Sequence, residues 1–239
     1  MQSSKKSCAL MQPYFFPYIG YFDLIYKSDV FVFYDDAKFS KNGWYNRNRV
    51  LSNHKDWDYI TVSVLKSGLN TEINDIVLAN KDRDLKKILG KLQVYSKLSS
   101  NYKDVKELVE RTFELSDNTL SSLSKNSIIE CMNYLGLRAD IISSSDLDYD
   151  KSRSPEEKVL EICKSVDAEE YINLPGGKLL YSPDRFRQEN ISLSFTNEIK
   201  TRYETQAFEF QESLSIIDVL MWNSKDKVKE IIKERTENE

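Results

Sequence analysis

Histidine, cysteine, glycine and proline are all scarce in this sequence. The 239 residues include one histidine, three cysteines, seven glycines and five prolines. With His54 alone, a metal site of two histidines and a carboxylate is excluded within one chain, and the polar stretch SNHKD predicts a hairpin residue there. Cys8, Cys131 and Cys163 lie far apart in apolar patterns, which gives no disulfide framework or zinc spacing and is typical of a reducing compartment.

Strong charge bias and long hydrophobic runs are also missing. Charged residues make up 30% of the chain and the formal net charge is −4. This balance does not indicate nucleic-acid binding. No segment approaches the ~20 apolar residues of a membrane span, and the first residues do not form a signal peptide. We therefore expect a soluble, cytoplasmic protein with no membrane span and no nucleic-acid partner.

Aromatic residues, by contrast, are abundant, with 14 tyrosines and 11 phenylalanines. Many of them fall in the N-terminal stretch MQPYFFPYIGYFDLIYKSDVFVFYDD. The preceding SCALMQ predicts a buried strand, the spacing of Ile19, Phe22 and Ile25 after Pro17 predicts a helix, and VFVFY predicts a second buried strand. Strand, helix and strand within about thirty residues form the βαβ unit of an α/β domain.

The rest of the chain predicts the same fold class. RVLSNHKDWDYITVSV indicates a β-hairpin, LKSGLNTEINDIVL a loop and a short strand, and apolar periodicity after Asp82 indicates three helices, the last ending at Gly136. Strands then alternate with helices, one of which begins with the capping box of Ser154 and Glu157. We predict a Rossmann-like parallel sheet of the nucleotidyltransferase or HUP type with an attached hairpin and a helical insertion. The predicted units are residues 1–81, 82–138 and 139–239.

The sequence Tyr18-Ile19-Gly20-Tyr21 follows the predicted first strand and opens the first helix. This layout resembles the His-x-Gly-His motif of adenylyl- and cytidylyltransferases and of pantothenate synthetase, with tyrosine in both histidine places. In those enzymes the glycine lets the nucleotide approach the backbone at the helix N-terminus. A tyrosine donates hydrogen bonds but carries no positive charge at pH 7, which argues against adenylyl transfer. The alternative is an aromatic core beneath a βα turn.

The stretch FYDDAKFSKNGWYNRNR after the second predicted strand carries acidic, basic and aromatic side chains. Carboxyl ends of parallel strands are where α/β folds bind ligands. We expect the carboxylates to orient an amine or sugar hydroxyls, the cations to hold phosphate, and the tryptophan to stack on a base or sugar. The residues are Asp35, Asp36, Lys41, Trp44, Arg47 and Arg49. The alternative is a solvated loop in which arginine and aspartate pair with each other.

The stretch LPGGK follows a later predicted strand. Gly176, Gly177 and Lys178 could bring backbone amides and one positive charge to an anion. The stretch does not match the Walker motif. A simple turn explains the same pattern.

Together, MQPYFFPYIGYFDLI, FVFYDDAKFSKNGWYNRNRVL, EEKVLEICKSVDAEEYINLPGGK and FEFQESLSIIDVLMWN are similar to the WbqC-like proteins over nearly the whole chain. The resemblance implies work in bacterial surface-polysaccharide biosynthesis, notably O-antigen and lipopolysaccharide. It implies a catalytic set of Asp35, Asp36 and Lys66. It also implies binding positions at Gln12, Tyr14, Tyr18, Tyr21, Lys41, Trp44, Asn46, Arg47, Arg49, Gln206 and Asp218.

The activity that the resemblance implies is acyl or aminoacyl transfer to the amine of a dTDP- or UDP-linked amino sugar. The donor would be a thioester on a carrier protein or an adenylate, and no other cofactor or metal is implied. Many relatives carry a histidine shortly after the position of Lys66 and another before that of Tyr95, and this chain has neither. Two alternatives stay open. One is a non-catalytic protein that binds a nucleotide-sugar or partners another glycan enzyme, and the other is a nucleotidyltransferase.

Overall fold

A computed structural model describes residues 5–68, 70–199 and 202–233. Its frame is a five-stranded sheet in which every neighbouring pair is parallel, with a separate antiparallel hairpin. The strands are β1 Ser7–Met11, β2 Val30–Phe33, β3 Arg47–Leu51, β4 Trp57–Thr61, β5 Asp140–Ser143, β6 Glu170–Asn173 and β7 Ser192–Phe195. The prediction of a Rossmann-like α/β fold with an attached hairpin is confirmed.

The order of strands in the sheet is β5-β2-β1-β6-β7. The chain therefore builds outward from β1 in one direction, returns, and builds outward in the other direction from β6. This is the doubly wound arrangement, and β1 and β6 flank its switch point. All four residues of β2 are buried, because helices cover both faces of the sheet and the strand sequence VFVF is apolar on both sides.

Eight α-helices are present in the described part of the chain. They are α1 Ile19–Lys27, α2 Lys81–Leu92, α3 Tyr102–Thr112, α4 Leu120–Leu135, α5 Pro155–Ser165, α6 Pro183–Gln188, α7 Ile216–Trp222 and α8 Lys225–Lys233. The predicted capping box of Ser154 and Glu157 begins α5, and α4 ends at Gly136 with a φ of 64°. The sequence did not predict α6, since its six residues bury only Phe186 and so show no periodicity.

Residues 65–78 differ from the prediction. Instead of a short strand, they form a single 3₁₀ turn at Ile73–Asp75 and isolated bridges from Val64 to Leu78 and from Val77 to Thr119. Each bridge, including a third between Lys38 and Glu72, is a single residue pair, so no strand forms. Ile73, Ile76 and Leu78 are nevertheless buried, whereas Val77 is exposed. Leu69, within the same predicted stretch, lies outside the described residues.

The main hydrophobic core includes both β-strand and helical-module residues. It joins residues of β1, β2 and the hairpin to residues of α2, α3, α4, α7 and α8. A second cluster lies on the other face of the sheet, beneath α5 and α6, and contains Cys8 and Cys163. All three cysteines are free and buried, as their apolar patterns predict. None of the described helices has the length and apolar character needed to cross a bilayer.

Candidate functional site

A cleft of about 680 Å³ opens at the carboxyl ends of β1 and β6. Its floor includes Met11 and Asn173, the last residues of those two strands. The sheet order reverses between these strands, so their following loops diverge and leave a crevice. The size is in the usual range for a small-molecule site. Of the sequence-predicted positions, the cleft is lined by Gln12, Tyr14, Tyr18, Gly20, Trp44, Arg49, Gly176 and Gly177.

The turn PYFFP that forms one wall is held by polar side chains from three separate elements. Phe16 has a φ of 43°, which is unusual for a bulky residue. The buried Asn48 amide in β3 donates to the carbonyl oxygens of Phe15 at 3.1 Å and Phe16 at 2.8 Å. Ser127 of α4 accepts from the Phe16 amide at 2.9 Å, and Ser215 before α7 donates to its carbonyl at 2.8 Å. These bonds compensate for the strained backbone.

Gln12 organises the phenols of the wall. Its side-chain oxygen accepts from the Tyr45 hydroxyl at 3.1 Å, and its backbone carbonyl accepts from the Tyr21 hydroxyl at 2.9 Å. Tyr21 is fully buried and does not line the cleft. Burial raises the pKa of Tyr14 to about 12 and that of Tyr21 well above its usual value. These tyrosines are therefore neutral near pH 7, and Tyr14 can present a hydroxyl to a ligand.

Gly20 makes room for the ring of Tyr18. A Cβ atom added at Gly20 would lie 2.4 Å from Cε2 of Tyr18. The ring lies against the first turn of α1, where the resemblance to His-x-Gly-His proteins places a nucleotide. The glycine is therefore needed for a side chain of the same chain, and a ligand can reach this turn only beside or in place of the ring.

A cation–aromatic cluster covers the outer face of the hairpin. We use the name hairpin cluster for Trp44, Arg47, Arg49, Trp57 and Tyr59. The Arg49 guanidinium carbon lies 5.6 Å from the Trp44 ring centre and 5.1 Å from that of Trp57. The Arg47 guanidinium carbon lies 5.0 Å from the Tyr59 ring centre. Alternation along β3 places Arg47 and Arg49 on one face and the buried Asn48 on the other.

The two guanidinium groups have no carboxylate partner among the described residues. Arg49 donates to the Ser213 carbonyl at 3.0 Å and Arg47 to that of Asn42 at 3.1 Å. The Nε atom of each is buried without a hydrogen-bond partner. Aromatic faces offset part of the cost of two adjacent positive charges. An anion with two negative charges would neutralise the two guanidinium groups and accept their hydrogen bonds.

Asp35 does not line the cleft. It is buried at the carboxyl end of β2 and faces β5. It accepts from Lys125 at 2.6 Å, from the Ser145 amide at 3.1 Å and from the Ser145 hydroxyl at 2.9 Å. Ser144 donates to it at 3.2 Å. The carboxylate therefore joins β2 to β5 and α4.

Asp36 is also buried and outside the cleft lining. It accepts hydrogen bonds from Ser144 and, at 2.7 Å, from the Tyr149 hydroxyl, and it forms an ion pair with Lys151 at 2.9 Å. Burial acts to raise the pKa of Asp36, and the bonds from Ser144, Lys151 and Tyr149 outweigh it, so the pKa is lowered. Asp36 is therefore ionised near pH 7, and both of its carboxylate oxygens are held by these partners.

Asp218 lies in a third, fully buried place in α7. Its two oxygens accept from the Tyr95 hydroxyl at 2.6 Å and the Tyr203 hydroxyl at 2.5 Å. Burial raises its pKa to about 6 against the lowering effect of these bonds. Gln206 is exposed and donates to the Leu98 carbonyl at 2.7 Å. Neither residue lines the cleft.

The remaining predicted positions are spread over the surface. Lys41 and Lys66 are exposed, and the Asn46 amide donates to the Val62 carbonyl at 2.9 Å. Lys178 is exposed, with its Nζ 5.9 Å from the ring centre of Phe195. In the LPGGK turn, the backbone amides of Gly177 and Lys178 already donate to the carbonyl oxygens of Leu174 and Pro175, so they are not directed at an anion.

Several cleft residues were not singled out from the sequence. Asn173 ends β6 and could have been found, because it follows a predicted strand at the ligand-binding edge. Tyr34 directly follows β2 and could have been found in the same way. Tyr181 and Glu198 carry no local signal, since each reaches the cleft only through the sheet order. Among the cleft-lining residues that the structure describes, Glu198 is the one carboxylate. No group of His, Cys, Asp or Glu within the described ranges is placed to hold a metal ion.

The fold and the cleft together define a doubly wound α/β protein with a cleft of small-molecule size at its switch point. The chain belongs to the WbqC-like protein family, whose model matches residues 12–230. It is similar to the uncharacterized protein Rv1507c of Mycobacterium tuberculosis, with 25% identity over 218 residues that cover 90% of this chain and 93% of that protein. No solved structure matches the chain.

Proposed function

We propose that this protein transfers an acyl or aminoacyl group to the amine of a nucleotide-linked amino sugar, as a cytoplasmic enzyme of bacterial surface-glycan biosynthesis. The observation that carries the proposal is the pair of guanidinium groups without carboxylate partners at the edge of a switch-point cleft. A nucleotide-linked sugar has the matching parts, which are a diphosphate, a flat base and a polar ring.

The binding mode follows from the position of each group. Arg49 lines the cleft and Arg47 lies two residues along the same strand face, so a diphosphate can bridge them, with Lys41 nearby in the chain. Trp44 lies beside both arginines and offers a face for the base. The sugar then enters the cleft, where Gln12 and Tyr14 supply polar groups.

The proposed reaction is aminolysis of a thioester. The sugar amine attacks the acyl carbonyl carbon, so the C–N bond forms and the C–S bond breaks. The amine proton passes to a base, which returns it to the departing thiolate, and the carrier leaves as a thiol. Asp35 or Asp36, the predicted bases, would have to leave the hydrogen bonds that now hold them. Glu198 lines the cleft, whereas Asp35 and Asp36 do not. We therefore assign the base to Glu198.

A direct test is to incubate the protein with dTDP- and UDP-linked 4-amino sugars and with acyl or aminoacyl thioesters on coenzyme A or a carrier protein. Mass spectrometry should show an N-acylated nucleotide-sugar and free thiol in equal amounts. Arg49→Ala should raise KM about tenfold or more, the loss expected for one charged hydrogen-bonding partner. Arg138→Ala is the control, since this exposed arginine lies just before the amino end of β5, whereas the cleft lies at the carboxyl ends of the strands. No product from any pair, with active relatives assayed alongside, would refute the transferase.

The second candidate is a non-catalytic nucleotide-sugar binding protein. It is favoured by the hydrogen bonds that occupy Asp35 and Asp36 away from the cleft, because Glu198 is then the one carboxylate among the described lining residues. Glu198→Gln separates the two. An enzyme should keep its affinity for the nucleotide-sugar and lose turnover, whereas a binding protein has no turnover to lose. Adenylyl transfer receives less support, because Tyr21 is buried and the Tyr18 ring covers Gly20.

A further inference from the structure

The cleft crosses the edge of the sheet and has two chemically different halves. The front half adjoins α1 and the hairpin and contains Arg49 and Trp44. The rear half lies on the other face of the sheet, where Leu10 and Val159 belong to the second hydrophobic cluster. We use the name rear half for Leu10, Tyr34, Pro155, Val159, Leu180 and Tyr181.

The rear half contains no charged side chain. Four of its six residues are aliphatic, and its polar atoms are the hydroxyls of Tyr34 and Tyr181 together with the backbone. Burial is the main cause that raises the pKa of both tyrosines. The surroundings therefore penalise charge, and a charged group placed there would lose hydration without gaining an ion-pair partner among these six residues.

The mouth of the rear half exposes large apolar side chains. Leu180 lines the cleft and is 68% exposed, and its neighbour Leu179 is 99% exposed. Uncovered leucines at the edge of a cleft are typical of a surface that an apolar ligand covers. Leu180 is positioned to be covered by a ligand in the cleft. Leu179 does not line the cleft and serves as an internal comparison.

An acidic group stands at the rim of the same half. The carboxylate of Glu156 accepts from the Ser182 amide at 2.6 Å, directly after Tyr181 in the chain. Glu156 contributes to the raised pKa of Tyr181, so its negative charge is felt at the rear half. A carboxylated acyl group would be repelled there.

We infer that the rear half binds the transferred acyl group, and that this group is an uncharged aliphatic chain of a few carbons. The inference rests on the proposed transferase function, and it narrows the donor class. Repulsion by Glu156 disfavours carboxylated groups, and loss of hydration among apolar side chains disfavours ammonium-bearing groups. Leu180 and Val159 determine specificity by contacting the chain. The nucleotide occupies the front half at the same time.

The test uses reaction products as ligands, so that it does not depend on turnover. The chain has three tryptophans, of which Trp44 and Trp57 belong to the hairpin cluster. In a Trp222→Phe background, tryptophan fluorescence reports binding at the hairpin. The ligands are a dTDP-linked 4-amino sugar and its N-acetyl, N-butanoyl, N-alanyl and N-succinyl derivatives.

The N-butanoyl product should bind about tenfold more tightly than the N-acetyl product, the factor expected for burying two methylene groups. The N-alanyl and N-succinyl products should bind more weakly than N-butanoyl. Leu180→Asn should remove the gain from the butanoyl chain and leave the affinity for the free amino sugar unchanged. Leu179→Asn is the matched control and should keep the gain.

The outcomes separate the two proposals. If no nucleotide-sugar changes the fluorescence, the proposed function fails and the inference fails with it. If the nucleotide-sugars bind but affinity is independent of the acyl group, or favours the charged groups, the inference is overturned and the function stands. Loss of the gain in Leu179→Asn as well would also overturn the assignment to the rear half.

Discussion

Asp218 shows at the scale of one residue how burial controls ionisation. The carboxylate is fully buried and accepts from two neutral phenols, and no cation in the described part of the chain is bonded to it. Burial raises its pKa to about 6, above the usual value near 4. Between these values the folded state binds a proton that the unfolded state has released. The contribution of Asp218 to stability is therefore greatest below pH 4 and is lost as pH rises through about 6.

Replacing Asp218 with asparagine should flatten this part of the pH profile. From pH 4 to pH 7.5 the wild type should lose about 2 kcal/mol of unfolding free energy relative to Asp218→Asn, because the shift is about two pKa units and its effect begins just below pH 4. Urea unfolding at several pH values measures the difference. Asp148→Asn, at an exposed position, is the control. Parallel profiles for wild type and Asp218→Asn would contradict the argument.

Gly20 and Tyr18 should be energetically coupled. Gly20→Ala forces the Tyr18 ring away and should destabilise the protein, although alanine is the better helix former. In a Tyr18→Ala background the same substitution should stabilise by about 0.5–1 kcal/mol. Gly90→Ala in α2 meets no atom within 4 Å and should stabilise in both backgrounds. Thermal unfolding of the double-mutant cycle gives the coupling, and additive effects would mean that the ring does not occupy this space.

At the scale of elements, β3 carries two functions on its two faces. The outer face presents the arginines of the hairpin cluster, and the inner face presents Asn48, which holds the turn before α1. A substitution on the inner face should therefore alter the shape of the cleft without removing a charged side chain that lines it.

Asn48→Ala should cost about 1–3 kcal/mol, because the buried carbonyls of Phe15 and Phe16 lose a donor. Asn46→Ala is the matched control. Its amide also donates to a carbonyl, at 2.9 Å, but it is half-buried, so its loss should cost less. Chemical denaturation compares the two. Equal costs would show that the turn is held by the other side chains.

The helices and strands themselves were largely predictable from the sequence, whereas the pairing of one strand with another was not. Short apolar runs predicted the sheet strands and period-3.6 patterns predicted the main helices, because those patterns reflect local burial. The position of Asp35 and Asp36 depended on β5 pairing with β2, more than a hundred residues away in the chain. That pairing turns both carboxylates toward Ser144 and Ser145. Local patterns carry no information on which strand lies next to which.

The residues of the candidate site also divide into those that local sequence predicted and those that depend on the assembled sheet. Arg49 and Trp44 were predicted from a stretch that is continuous in the sequence, and the cleft contains both. Glu198 and Tyr181 enter it through β6 and β7 and their connections. Their contribution exists only in the assembled sheet. The chemical class of the front half was thus accessible from the sequence, and that of the rear half was not.

At the scale of the whole molecule, the helical module shares its core with the sheet. Tyr95 donates to Asp218 and accepts from the Leu51 amide, and Ser124 donates to the Tyr45 carbonyl. These buried bonds join residues 82–138 to the rest of the chain. The three predicted units are therefore expected to depend on one another.

An isolated fragment of residues 82–138 should show helical circular dichroism without a cooperative thermal transition. Its buried face packs against β-strand and α7 residues that the fragment lacks, and short helices without tertiary packing are marginal in water. The full chain, measured under the same conditions, should melt cooperatively. A sharp transition in the fragment would instead establish the module as an independent domain.

The central position of β1 also has a consequence for synthesis on the ribosome. One edge of this apolar strand is paired by β2 soon after both are made, but the other waits for Glu170–Asn173 of β6. For most of translation the nascent chain therefore holds an unpaired, hydrophobic strand edge, which is a template for aggregation. Expression should be sensitive to translation speed and to the supply of chaperones that bind exposed apolar segments, although the finished protein buries that edge completely.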